Sequence, residues 1–249
     1  MRALVSTTVV AAALGPTTAA AQLGNLLDKL KVPGLGQGTG AAAAGALTDS
    51  EVVSGLKEAL AQGAERAVSE LGRGDGFLGN PSVRIPIPES LRPVEKALRT
   101  FGQGRYADEL VTTMNRAAEG AVPQAGPILG DAIREMTVED AQRILSGPDD
   151  AATQYFRKVG DKRLTAALRP LVEQATSRAG VTAAYKGAIG KAGPAAGLLA
   201  QQAPDLDGYV TDKALDGLFA MIAAEEKRIR SNPLARGTDL LKKVFGAAR

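Results

Sequence analysis

Neither histidine nor cysteine occurs in the 249 residues, so any chemistry here must run on carboxylates, lysine, serine, tyrosine or arginine. Imidazole acid–base catalysis, thiol nucleophiles, disulfides and the usual nitrogen and sulfur ligands of zinc or copper are excluded. Asp216 is the residue of interest for acid–base work, because it interrupts the apolar run from Ala214 to Ala224. A carboxyl in such surroundings is either paired or raised in pKa, which is how catalytic acids are made. The favoured reading is a buried ion pair with a Lys or Arg from another helix. On that reading Asp216→Asn strands one charge and costs ~3–5 kcal/mol, whereas in an enzyme it keeps the fold and loses turnover.

Asp149, Asp150, Gln154, Tyr155 and Arg157 form the densest cluster of functional-group types in the chain. They fit a polar ligand site, but two acids at a helix start more often act as a cap and a dipole partner. Asn115, bordering an apolar stripe, can bond either a neighbouring backbone or a ligand, and the former is commoner. Arg84, among the prolines of residues 72–88, completes the binding candidates; no residue is assigned a catalytic role. Ser54-Gly-Leu-Lys57 has the S-x-x-K spacing of penicillin-recognising enzymes, but the S-D-N and K-T-G partners are missing. Asp205-Leu-Asp207-Gly208 fails as a calcium loop, because its glycine falls at the fourth position and no glutamate follows at the twelfth. No metal and no cofactor is expected.

These side chains must be held by helices. Asp205 to Arg230 is the central one: acids precede its apolar run and Lys227, Arg228 and Arg230 follow it, each sign complementing the helix dipole. Apolar on nearly every side, the run predicts a helix surrounded by others. Thr48 and Glu51 form a capping box ahead of a helix ending at Gly72, and Thr137 and Asp140 form a second one. Apolar spacing predicts helices over Glu89 to Phe101, Arg105 to Gly120 and Val122 to Met136. Further ones follow over Ala151 to Lys158, over Asp161 to Ala179 with a kink or restart at Pro170, over Val181 to Ile189, and from Pro233 onward. Between Gly72 and Pro88, Val83, Ile85 and Ile87 alternate with Arg84, Pro86 and Pro88. That pattern predicts an extended arm laid across the helices, since its prolines bar it from a central strand. The fold class is all-α: a single-domain bundle of about eight to ten helices with one extended Pro-rich arm, residues 72–88.

The N-terminus reads differently. Arg2, the apolar run Ala3 to Leu14, and small residues up to Ala21 have the layout of a signal peptide occupying residues 1–21. The run is too short for the ~20 residues that span a bilayer, so no transmembrane segment is expected in the mature chain. With no cysteine at the cleavage point a lipid anchor is excluded, and the expected location is the periplasm. Residues 22–46, with glycines alternating from Gly34 to Gly40, read as a flexible linker, leaving residues 47–249 as the helical domain. The formal charge of +3 is mild, and basic residues are interspersed with acids, which argues against nucleic acid as a partner.

Several stretches in order carry a resemblance: DGFLGNPSVRIPIPESL, ADELVTTMNRAAEGAVP, MTVEDAQRILSGPDDAATQYFR, YVTDKALDGLFAMIAAEEKRIR and TDLLKKVFG. Together they resemble the bacterial domain-of-unknown-function family 4197, from about Leu47 to the end. The resemblance implies an exported helical protein and supplies no activity or catalytic residues. Three functions are open: a non-catalytic binding or interaction module of the cell envelope with an unidentified protein or small-molecule partner, a carboxylate enzyme built on Asp216, and a peripheral membrane protein. The first is favoured and the last ranks lowest, because the apolar helix faces are better used internally.

Overall fold

The computed structural model describes residues 48–178 and 205–231, all within one compact unit that begins at Leu47. The expected signal peptide, the linker, the helix Val181 to Ile189, the loop Gly190 to Pro204 and the helix from Pro233 lie outside the described residues. Every regular element described is helical.

Helix α1 (Asp49–Gly72) starts at the predicted capping box: the Thr48 hydroxyl accepts from the Glu51 amide, and the Glu51 carboxylate accepts from the Thr48 amide. After a non-helical connection and a 3-10 turn come α2 (Arg92–Thr100), α3 (Gly104–Ala121), α4 (Ala125–Glu135) and α5 (Val138–Ser146). The second capping box, Thr137 with Asp140, opens α5. The two long helices α6 (Ala151–Arg178) and α7 (Leu206–Ser231) pack most extensively on each other, α1 also lies against α7, and α3 lies against α6. Phe77, Phe156 and Phe219 are fully buried where these elements meet. The aromatic-poor sequence thus spends three of its five phenylalanines on the centre.

Two predicted helices turn out to be one. The sequence predicts separate helices over residues 151–158 and 161–179, the second with a kink or restart at Pro170, yet α6 runs through both Gly160 and Pro170. The reason is a buried stripe at every fourth residue: Ala152, Phe156, Gly160, Leu164, Leu168, Val172 and Thr176. A continuous stripe of this kind contributes ~1.5–3 kcal/mol for each of Phe156, Leu164, Leu168 and Val172, which together outweigh the ~1 kcal/mol against one glycine and the ~3 kcal/mol against one interior proline.

The expected arm over residues 72–88 also takes another form. Gly72 belongs to α1, residues 73–79 and 81–83 bend and turn on either side of Asn80, and residues 84–88 run without a turn. Asp75 occupies the left-handed region at φ 66, where its carboxylate receives a 2.8 Å hydrogen bond from Arg116. Phe77 enters the core against Gly217 of α7, where a Cβ would come within 2.7 Å of its ring. Glycine at 217 therefore admits the loop to the core. Val83, Ile85 and Ile87 are buried and Arg84 and Pro86 exposed, so the predicted alternation holds as far as Ile87, while Pro88 is buried beside it.

The helix predicted to be dry on every side has one wet face. Val210, Ala214, Leu215, Leu218, Phe219, Ile222 and Ile229 are buried, but Asp212, Asp216, Ala220, Ala224 and Lys227 form an exposed stripe among the described residues. The sequence misleads because alanine carries little apolar surface, so an Ala/Asp row faces water at small cost.

Candidate functional site

A cleft of about 820 Å³ opens between residues 78–87 and helices α2 and α3. Leu78, Ile87 and Val111 give it an apolar surface, Pro81 and Pro86 stiffen one wall, and Arg84, Arg92, Arg99, Glu95 and Asp108 supply its charges. The local sequence builds that wall. Asn80 makes an Asx turn, its Oδ1 accepting from the Ser82 amide at 3.0 Å, while its carbonyl accepts from the amides of Val83 (3.2 Å) and Arg84 (2.9 Å). The next residue is clamped: Asn115 Oδ1 accepts from the Ile85 amide at 2.8 Å, and Asn115 Nδ2 donates to the Ile85 carbonyl at 2.9 Å and to the Val111 carbonyl at 2.8 Å. Asn115 thus offers residue 85 the two bonds a neighbouring strand would offer. On the opposite wall Arg99 is fixed by Asp108 at 2.8 Å and Glu95 at 3.0 Å. Those hydrogen bonds, with Asp108 the larger influence, hold its pKa further above the ordinary arginine value.

The candidates read from the sequence scatter. Arg84 lines this cleft, and Asn115 lies behind it with its side-chain amide fully engaged. Gln154 and Tyr155 line a second, smaller depression with Arg143 and Lys158, while Asp149 and Asp150 are exposed at the start of α6. Gln154 Nε2 donates to Asp150 at 3.0 Å, and Tyr155 donates its hydroxyl to the Ala132 carbonyl at 2.9 Å. Burial first, then the charges of Asp140 and Glu135, push the Tyr155 pKa above the ordinary phenol value. The phenol therefore stays protonated and serves as a donor to α4. Arg157 stacks its guanidinium 4.4 Å from the Phe219 ring centre and approaches Asp216 at 3.6 Å.

Asp216 corrects the reading made from sequence. It is not a buried acid, for its side chain is 54% exposed and it also meets Lys213 at 3.3 Å. A solvated pair of this kind contributes at most ~1 kcal/mol. Asp216→Asn is therefore expected to lower stability by less than ~1 kcal/mol in urea unfolding, instead of the ~3–5 kcal/mol of a stranded buried charge.

The buried carboxylates are elsewhere, and sequence reasoning missed them. Glu119 on α3 has a side chain only 5% exposed; its Oε1 accepts from the Phe77 and Leu78 amides at 3.1 Å, and its Oε2 from Arg116 at 2.7 Å. Glu226 on α7 is equally buried; Oε1 accepts from the Ala152 amide at 2.9 Å, and Oε2 accepts from the Thr153 amide and hydroxyl, each at 3.0 Å. Arg230 donates to the same carboxylate from Nε and Nη2 and reaches the Ile144 carbonyl at 2.7 Å. Glu226 thus satisfies the first amides of α6, the role the sequence had given to Asp149 or Asp150. The only local signal was a Glu226/Arg230 pair at i,i+4, which ordinarily marks a solvated face. The S-x-x-K pattern is also accounted for, since Lys57 Nζ donates to the Arg134 carbonyl at 3.1 Å, near the C-terminal end of α4. No group of three or more acids among the described residues is placed to hold a metal ion.

Comparison with protein-family models matches residues 46–246 to a family described as a protein of unknown function, DUF4197. This chain belongs to the DUF4197 family. The matched span takes in every helix described above, so the cleft, the Asn115 clamp and both buried carboxylates are parts of the DUF4197 region. No curated protein and no solved structure matches the chain. Among the described residues of this DUF4197 protein, no helix is long and apolar enough to cross a membrane.

Proposed function

We propose that this DUF4197 protein is an exported, non-catalytic binding module of the cell envelope, acting in the periplasm, with the cleft beside Arg84 as its recognition surface. One observation carries the reading. The polar side chains buried among the described residues are each engaged in holding the fold, whereas the cleft presents charged groups on walls that are already fixed. A volume of about 820 Å³ lies within the ~300–1,000 Å³ usual for small-molecule sites. Fixed walls favour binding because little ordering entropy is lost when a ligand arrives. The enzyme reading loses its main support with Asp216 in water. Export is supported by the charged start, apolar run and small-residue end of residues 1–21.

The reading is tested by a fragment screen on isotope-labelled chain starting at residue 22. Fragments are expected to shift the amide resonances of Leu78, Arg84, Ile87 and Val111. Shifts confined to other surfaces, or none, would sink the cleft as a recognition surface. For export, N-terminal sequencing of the chain recovered from the periplasm is expected to begin near Gln22; a cytoplasmic chain retaining Met1 contradicts it.

A further inference from the structure

Nearly every arginine whose side chain is described has a partner. Of those whose side chains are described, Arg66, Arg73, Arg92, Arg99, Arg116, Arg134, Arg143, Arg157, Arg163, Arg169, Arg228 and Arg230 each meet a carboxylate. Arg105 donates to the Tyr106 hydroxyl and lies over its ring. Of the arginines whose side chains are described, Arg84 alone has neither an ion-pair nor a hydrogen-bond partner for its guanidinium, and it lines the cleft. Its backbone is anchored in that wall, its amide held by the Asn80 carbonyl and the next residue being the clamped Ile85. An unpaired guanidinium on a fixed backbone, beside an apolar surface, is a half-built anion site.

Resting on the binding reading above, we infer that the cleft takes a small organic carboxylate with an apolar body. The carboxylate receives two parallel N–H bonds from Arg84, and the body lies on Leu78, Ile87 and Val111. Carboxylate fits better than phosphate for a reason of charge. Arg92 is paired with Glu89 and Arg99 with both Glu95 and Asp108, so Arg84 is the one cation of the cleft without a carboxylate, and these walls carry no excess positive charge for a second anionic charge to meet. A divalent phosphate would bring its second charge toward the carboxylates of Glu95 and Asp108 on the same walls. The planar fork of arginine matches a planar carboxylate in both directions at once, which lysine cannot do.

The probes are N-acetyl-leucine, which carries the anion and an apolar body, and N-acetyl-leucinamide, which keeps the body and lacks the charge. Calorimetric and resonance titrations of the full chain are expected to show the acid shifting Arg84, Ile87 and Val111 and binding roughly tenfold or more tightly than the amide, as one charge-assisted pair implies. Arg84→Gln is expected to abolish that preference while leaving the thermal midpoint unchanged, because the side chain holds no partner in the fold. Arg84→Lys should keep only part of it. A pentapeptide ending in leucine separates two sources of the same chemistry: tighter binding than N-acetyl-leucine points to a peptide C-terminus, and equal or weaker binding to a free small carboxylate. Acid and amide binding alike at the cleft overturns the carboxylate and spares the binding reading. Failure of the acid to bind, or an acid preference surviving Arg84→Gln, overturns the inference; shifts outside the cleft overturn the reading beneath it as well.

Discussion

Glu226→Ala is expected to cost ~3–5 kcal/mol, because it removes one member of a buried charge pair together with the acceptor of two buried amides. Arg230, with a side chain only 14% exposed, keeps its charge and its bond to the Ile144 carbonyl but loses the two bonds it gives the Glu226 carboxylate. At the same time the amides of Ala152 and Thr153, both on buried residues, lose their acceptor at the first turn of α6. Urea unfolding followed by circular dichroism measures the loss, and a change below ~1 kcal/mol would contradict the role assigned to Glu226. The double replacement Glu226→Leu with Arg230→Leu separates the two contributions. Apolar isosteres of a simple buried ion pair are often neutral or stabilising, but they cannot accept from backbone amides. The double variant is therefore expected to stay destabilised, by ~1–3 kcal/mol for each amide left unsatisfied.

Asn115→Ala has the next largest expected effect, on the order of 3 kcal/mol. It removes three hydrogen bonds in a fully buried place and leaves the amide and carbonyl of Ile85 without a partner, each costing ~1–3 kcal/mol less whatever water recovers. Asn115→Asp tests the direction of the pairing. A carboxylate still accepts from the Ile85 amide but turns acceptor to acceptor against the Ile85 and Val111 carbonyls, so it should be at least as damaging at neutral pH. Hydrogen exchange supplies a second readout, because the Ile85 amide should lose protection selectively while amides within α6 keep theirs. Equal loss everywhere would show that Asn115 acts on global stability and not on the wall of the cleft.

How far the sequence reached depends on the range of the interaction. The two capping boxes, Thr48 with Glu51 and Thr137 with Asp140, are three-residue events and form as read. The inward faces of α1 and α3 follow from apolar spacing alone, and the family was evident from ordered stretches between Asp75 and Gly246. Outcomes set across the fold were not legible. Asn115 was weighed between backbone and ligand because its partner, Ile85, lies 30 residues away in a segment without regular structure. Glu226 stands four residues before Arg230, a spacing common on solvated faces, and nothing near it in the sequence shows that α6 begins against it. Asp216 reads as buried only where its alanine neighbours demand burial, and their small apolar surface does not. Arg84 was legible as a candidate by its place among prolines; that its guanidinium is left unpaired depends on where thirteen other arginines find partners or stand away.

The acceptor that completes the start of α6 lies 74 residues downstream of Ala152. A chain leaving the ribosome N-terminus first therefore carries an unfinished helix start until Glu226 has emerged. Until then α6 also lacks the helix it packs on most extensively, and its buried stripe from Ala152 to Thr176 has no cover from that side. Assembly of this half must wait for late synthesis, and chains halted before α7 should be found with chaperones or proteases.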